Sequence, residues 1–334
     1  MNNNRILKPL FLPLMILITG LGACKKTENI VQPDASKISR IIADNFNLSV
    51  FNRGLTPSGL NAKLLEEGPF TVIAPSDDAF KAAGYNSPAD LIAADPGIIS
   101  PMMQYHVLNG RLDFNTLPFA FNQEVRSYNG GKLFVTRWVK GPDTLLTING
   151  AVILAKNIKA SNGSIQVVNR VLKPYKFEYI WEVIANDRNL SLFYQALQRA
   201  GLTGLLSTKE TYTVFAPSNT AMRAYGLTSL ADIEAKDPAE LSSMLRYHIF
   251  ADRRFVYDYI LSSGTATESK QSMLDGNSLT VKLQVDPNNS KIYNGILLRG
   301  TGNTWDVELS EIQRDVLAGN GVVHTIESVL RITQ

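Results

Sequence analysis

The feature that most constrains this chain is that most of it is written twice. Shifted by 142 positions, the 334-residue sequence matches itself without a gap from Ile38 to Arg111. Ile38, Ile41 and Ile42 fall on Ile180, Val183 and Ile184. Ala74-Pro75-Ser76 falls on Ala216-Pro217-Ser218, Asp95-Pro96 on Asp237-Pro238, and Tyr105-His106 on Tyr247-His248. Near the end of each copy the shift becomes 158, where Asn162-Gly163 meets Asn320-Gly321 and Val171-Leu172 meets Val329-Leu330. The second copy therefore carries 16 extra residues between the two matched blocks. A period this long is a duplicated domain, not a solenoid unit of roughly 20–50 residues. The expected organisation is a first domain over 37–174 and a second over 175–334, with the boundary near Pro174-Tyr175-Lys176.

Within one copy the patterning changes from helical to extended. Ile38, Ile41, Ile42 and Phe46 have helical spacing, so each copy is expected to open on an amphipathic helix, and Trp181 in the second is expected to face the core. Phe70 to Ala74 is a short apolar, β-branched run that reads as a buried strand ended by Pro75. Ser76 and Ser218 are then placed to cap a helix by accepting from its free N–H groups. Residues 88–108 read as mostly helical, with Asp95-Pro96 opening a new helix. After Arg111 the period becomes two. Leu279, Val281, Leu283 and Val285 alternate with polar residues, and Asp286-Pro287-Asn288-Asn289 is a turn. Closing strands are expected over Ile165–Leu172 and Val322–Leu330. Helices followed by strands predict an α+β fold.

The first residues carry an address. Arg5 and Lys8 precede an apolar stretch over residues 10–20, which is too short for the ~20 residues a bilayer span needs. Leu21-Gly22-Ala23-Cys24 follows and resembles a bacterial lipoprotein box, in which cleavage precedes the cysteine and its thiol is acylated. The expectation is a signal peptide over 1–23, lipid attachment at Cys24 and a polar tether over 24–36. Lys25-Lys26 lacks the Asp that marks inner-membrane retention in enteric-type bacteria, so an outer-membrane lipoprotein, open to surface exposure, is the expected location. Cys24 is the only cysteine, which excludes an internal disulfide and any multi-thiolate metal site. Lys plus Arg total 33 against 30 Asp plus Glu, so no basic footprint for nucleic acid is present.

Three ordered blocks, FTVIAPSDDAF (70–80), Tyr105-His106-Val107 and Ala160-Ser161-Asn162-Gly163 with Val171-Leu172, recur as YTVFAPSNTAM, YHIF and AGNGVVHTIESVL. Together they resemble the fasciclin domain family across both copies. The resemblance implies two tandem fasciclin-like domains, each a small β-sheet wedge or sandwich packed with several helices. It also implies non-enzymatic adhesion, by binding protein or polysaccharide outside the cell. His324 occupies the family's terminal histidine position, which is Gln166 in the first copy, and Met222 replaces a usual Phe. Residues 251–319 are longer than typical, and variable loops on a fixed scaffold carry function.

Candidate binding residues follow from this. In animal relatives the Tyr-His region is linked to integrin binding, so Tyr105, His106, Tyr247 and His248 read either as an exposed adhesive strip or as a buried histidine bonded to backbone beside a packed tyrosine. Trp138, Tyr293 and Trp305 lie in the variable β regions, where an aromatic ring could stack on a sugar face. His324 reads as structural. No two histidines have metal-ligand spacing, no phosphate-binding or nucleophile-elbow motif is present, and neither Glu66-Glu67 nor Asp77-Asp78 forms a facing dyad. No cofactor and no metal are expected. The rival to adhesion is a carbohydrate-capture accessory of an outer-membrane glycan uptake system.

Overall fold

The computed structural model describes Met1 and residues 34–333. Residues 2–23 of the expected leader, and residues 24–33 of the tether with Cys24, lie outside the described residues. Among the described residues, those from 35 onward form one compact unit that contains both copies.

The first copy opens with α1 (Ile38–Ala43), α2 (Ser49–Leu55) and α3 (Leu60–Lys63). It continues with β1 (Phe70–Pro75), α4 (Asp77–Ala82), α5 (Pro88–Ala93), α6 (Pro96–Tyr105) and β2 (Val107–Asn109). Then come β3 (Ala120–Arg126), β4 (Lys132–Lys140), β5 (Asp143–Ile148), β6 (Ala151–Ala160) and β7 (Gly163–Val168). The second copy repeats the plan with α7 (Ile180–Ala185), α8 (Ser191–Arg199), β8 (Tyr212–Pro217), α9 (Asn219–Tyr225), α10 (Leu230–Glu234), α11 (Pro238–Arg246) and β9 (Ile249–Phe250). It adds α12 (Val256–Ser262) before β10 (Glu268–Ser272), β11 (Ser278–Asp286), β12 (Asn289–Gly300), β13 (Val307–Glu308), β14 (Val316–Ala318) and β15 (Gly321–Ile326). This is the expected α+β fold.

The capping chemistry works as the sequence implies. Ser76 Oγ accepts from Ala79 N–H and Ser218 Oγ from Ala221 N–H, each at 3.2 Å, which fixes the turn from buried strand to helix. Asp95 and Asp237 cap the Pro-initiated helices in the same way. Two expectations need correction. Phe46 is not on the opening helix: α1 stops at Ala43, and Phe46 begins a short 3-10 turn with its side chain 96% exposed. The closing strands begin earlier and end sooner than expected, at Gly163–Val168 and Gly321–Ile326.

In each copy the first and last long strands lie side by side and parallel, β1 with β7 and β8 with β15. The remaining pairings are antiparallel. The first copy keeps a continuous seven-stranded sheet in the order β2-β1-β7-β6-β5-β4-β3. The second splits into β14-β15-β8-β9 and β10-β11-β12-β13. Helices cover one face of β1 around Phe51, Phe80 and Met103, and the other face closes over Ile73, Tyr105, Phe114 and Ile148. The second copy has the same two cores, with Met222 fully buried where the first has Phe80.

Candidate binding surface

The Tyr-His pairs sit at the centre of each copy and not on its surface. Tyr105, His106, Tyr247 and His248 are all fully buried. The exposed-strip reading is therefore corrected, because helices α6 and α11 end by driving these residues inward. His106 Nδ1 lies 2.8 Å from Met102 O and Nε2 accepts from Leu172 N–H at 2.9 Å, so the ring proton is on Nδ1. His248 makes the same two bonds, to Met244 O at 2.9 Å and from Leu330 N–H at 3.0 Å. Each ring thus clasps the end of a helix to the segment after the closing strand. Burial, opposed by the bond to the helix carbonyl, pushes both rings down to about 4, so both are neutral at ordinary pH. Tyr105 Oη donates to Lys132 O and Tyr247 Oη to Ser278 O.

The terminal position differs between copies. His324 is buried against Phe215, accepts from Asp315 N–H at Nδ1 and donates from Nε2 to Arg254 O at 2.9 Å. Gln166 replaces it by accepting from Asn157 N–H at 2.8 Å and donating to Asn157 Oδ1 at 2.9 Å. Asn157 and Asp315 are both left-handed, at φ +55° and +58°, so both side chains stabilise the same unusual backbone kink.

Two of the three aromatic candidates lie at a seam between the copies. Trp138 is half-buried against Phe121, 4.6 Å between ring centres, and Phe121 also carries the Arg254 guanidinium of the second copy at 4.5 Å. Tyr293 receives Lys140 Nζ of the first copy at 5.2 Å, while that ammonium donates to Ser263 Oγ at 2.6 Å. The seam has its own apolar centre of Phe134, Phe255, Leu317 and Val322, packed by Tyr175. Gly150 belongs to it: its φ is +75°, and a Cβ there would meet Phe255 Cβ at 2.8 Å.

A buried carboxylate stands beside that centre. Asp258, on α12, accepts from Phe255 N–H at 2.9 Å, from Thr136 Oγ1 at 2.9 Å and from Asn122 Nδ2 at 3.2 Å, the last two across the seam. Burial drives its pKa up to about 6, although these bonds and Arg254 pull the other way. Asp315 also faces the seam and pairs with Arg170. Burial lifts its pKa, but Arg170, His324 and the Val256 N–H outweigh that and hold it below the usual carboxylate range.

Trp305 alone of the aromatic candidates is open, at 46% exposure. The Arg331 guanidinium lies 5.6 Å from its ring centre and 5.3 Å from that of Tyr225, which is 39% exposed. Arg331 and Tyr225 escape a linear reading because 106 positions separate them and neither belongs to a motif. The available signal was that Tyr225 replaces the first copy's Ala83 at the 142-residue offset. Among the described residues no group of three His, Cys, Asp or Glu side chains could hold a metal.

The family comparison agrees with the duplication. The Fasciclin domain model matches residues 46–174 and 188–332. Transforming growth factor-beta-induced protein ig-h3 from Sus scrofa is 26% identical over 327 residues, covering 97% of this chain and 42% of that protein. Human periostin is 23% identical over 322 residues, covering 94% of this chain and 33% of its own length. Protein sll1483 from Synechocystis sp. is 30% identical over 141 residues, 42% of this chain and 74% of that one. The chain thus spans less than half the length of ig-h3 and of periostin. Among solved structures, a FAS1 domain pair from the insect cell adhesion molecule Fasciclin I covers 85% of this chain and 97% of its own, at 17% identity and a TM-score of 0.41.

Proposed function

The chain belongs to the fasciclin domain family, which it carries as a tandem pair, and on that premise we propose that it is a non-enzymatic binding lipoprotein of the cell envelope that serves in adhesion. The double family match carries this reading. The seam supports it, because two domains that share a buried interface present their outer faces in one fixed relation. A rigid pair loses less freedom on engaging a partner than two domains on a flexible linker. Cys24, which Leu21-Gly22-Ala23 joins to the apolar stretch over 10–20, supplies the membrane attachment in this proposal. Several acyl chains on one cysteine hold a protein to a bilayer where one chain does not. The outer membrane is the proposed site, and an extracellular protein or polysaccharide the proposed partner.

The test uses cells carrying the intact chain, the Cys24→Ala chain, or neither. Labelled palmitate is expected on the intact chain alone. Cells with the intact chain are expected to be retained on a surface coated with their own extracted extracellular polymers. Equal retention without the chain overturns the adhesion reading, and palmitate on Cys24→Ala overturns the anchor. The open Trp305 surface favours one further reading, a glycan-capture accessory of an uptake system. Growth on a polysaccharide that depends on the chain would separate capture from adhesion.

A further inference from the structure

We infer that Trp305, Arg331 and Tyr225 form a binding platform for a carboxylated polysaccharide, a chain of uronic acid sugars. This inference rests on the binding reading above and names a ligand class for it.

The platform has the parts such a ligand needs. Two exposed aromatic rings flank one guanidinium, and aromatic faces stack on the C–H faces of sugar rings. Among the described residues the Arg331 guanidinium has no carboxylate partner within ion-pair distance. Both rings lie within cation–π distance of it, and among the described residues its N–H edge makes no hydrogen bond. That edge is a planar fork matching the two oxygens of a carboxylate. The neighbouring carboxylate, Asp306, is already committed to Lys282 Nζ at 3.0 Å and Arg299 Nε at 2.6 Å, so it does not compete for Arg331.

The platform is also held in place before any ligand arrives. Arg331 N–H donates to Asn303 Oδ1 at 2.8 Å, Arg331 O accepts from Gly302 N–H at 2.8 Å, and the buried Asn303 returns a bond to Val329 O at 3.1 Å. The Trp305 loop is thereby stapled to the terminal segment that carries Arg331. Two glycines permit the approach. A Cβ on Gly300 would meet Arg331 O at 2.6 Å, and one on Gly302 would meet Thr333 backbone at 2.2 Å. Such preorganisation lowers the ordering cost of binding. The first copy has no equivalent, since Ala83 and Lys173 stand at the positions of Tyr225 and Arg331, and the Trp305 loop falls in the segment lengthened in the second copy.

The experiment is affinity electrophoresis of the intact detergent-solubilised protein through gels containing polygalacturonate, alginate or fully methyl-esterified polygalacturonate. Retardation is expected with the two carboxylated polymers and is expected to vanish with the ester. Trp305→Ala and Arg331→Gln are each expected to weaken it about tenfold or more, with unchanged melting temperature. Arg331→Lys is expected to recover only part, because it restores charge without the fork. No retardation by either acid polymer, equal retardation by the ester, or binding unmoved by both substitutions overturns the platform. In each of those cases chain-dependent cell retention leaves the adhesion reading standing. Loss of that retention as well removes both.

Discussion

The two copies solve one backbone problem with different side chains, and the difference separates what the fold requires from what each copy has made of it. Both copies place a left-handed residue ahead of the closing strand, Asn157 within β6 and Asp315 just before β14. In the first, Gln166 satisfies that kink through Asn157 alone, with neutral amide chemistry. In the second, His324 satisfies it and also reaches Arg254 O, while Asp315 turns outward to Arg170 across the seam. The Tyr-His pairs show the opposite behaviour. Both residues are the same and fully buried in each copy, and the two histidines make the same pair of hydrogen bonds, so the clasp from helix end to closing segment belongs to the fold itself. A feature held the same in both copies is architecture. A feature that changes, such as Trp305 with Tyr225 and Arg331, is where the copies acquired separate work.

The sharpest way to break this comparison is to remove the clasp from each copy in turn. His106→Ala and His248→Ala each leave a buried N–H, of Leu172 or Leu330, without its acceptor and open a cavity in the core. Each is expected to lose about 3–5 kcal/mol, read from the denaturant midpoint. Near-equal losses support a shared architectural role. A loss under about 1 kcal/mol in either copy would show that its histidine is dispensable to the fold.

The pH dependence sharpens the comparison by setting the clasps against the seam. His106 and His248 have folded pKa values near 4 against 6.5 unfolded. Their neutral forms favour folding, so their stability is fully present above about 6.5 and is lost as pH falls toward 4, on the order of 3 kcal/mol per ring. Asp258 has the opposite sign. Its folded pKa is raised to about 6 from 3.8, so it favours the folded state most at low pH and loses that advantage as pH rises through 6. Asp258→Asn removes this opposing contribution. Between pH 6.5 and 4 the variant is expected to lose stability more steeply than the parent, by on the order of 2 kcal/mol, measured by urea unfolding at each pH. Parallel profiles would show that Asp258 does not titrate in the seam.

The sequence exposed the duplication, the α+β order, the capping serines and the family blocks because each rests on local or repeated signals. Ser76 needs only the helix that follows it, and Tyr105-His106 is conspicuous because it recurs at Tyr247-His248. Burial direction was not legible in the same way. A Tyr-His dipeptide at a helix end points inward or outward according to what lies across from it, and Leu172 and Leu330 lie 66 and 82 residues further on. The seam was invisible for a related reason. Asn122, Thr136 and Asp258 are ordinary polar residues until two domains meet, and their separations of 122 and 136 positions follow no period. Trp138 and Tyr293 looked free to bind ligand because pattern alone cannot tell a solvent face from a face covered by the neighbouring domain.

The smallest expected effect tests whether the terminal position tolerates exchange. Gln166→His puts a ring where its two nitrogens can take the roles seen in the second copy, accepting from Asn157 N–H and donating to Leu112 O, the counterpart of Arg254 O at the 142-residue offset. The expected cost is below about 1 kcal/mol. The reverse change is expected to cost more. His324→Gln keeps an acceptor for Asp315 N–H but forfeits the ring packed on Phe215 and the bond to Arg254 O. A loss of about 1–2 kcal/mol is expected, measured by thermal unfolding alongside the parent. The asymmetry follows from the order of demands at the site. The left-handed kink asks only for one acceptor, which either side chain supplies, whereas the second copy has built packing and a second hydrogen bond on the ring. Equal costs in the two directions would mean that the kink alone sets the energetics and that the additional contacts of His324 contribute nothing measurable.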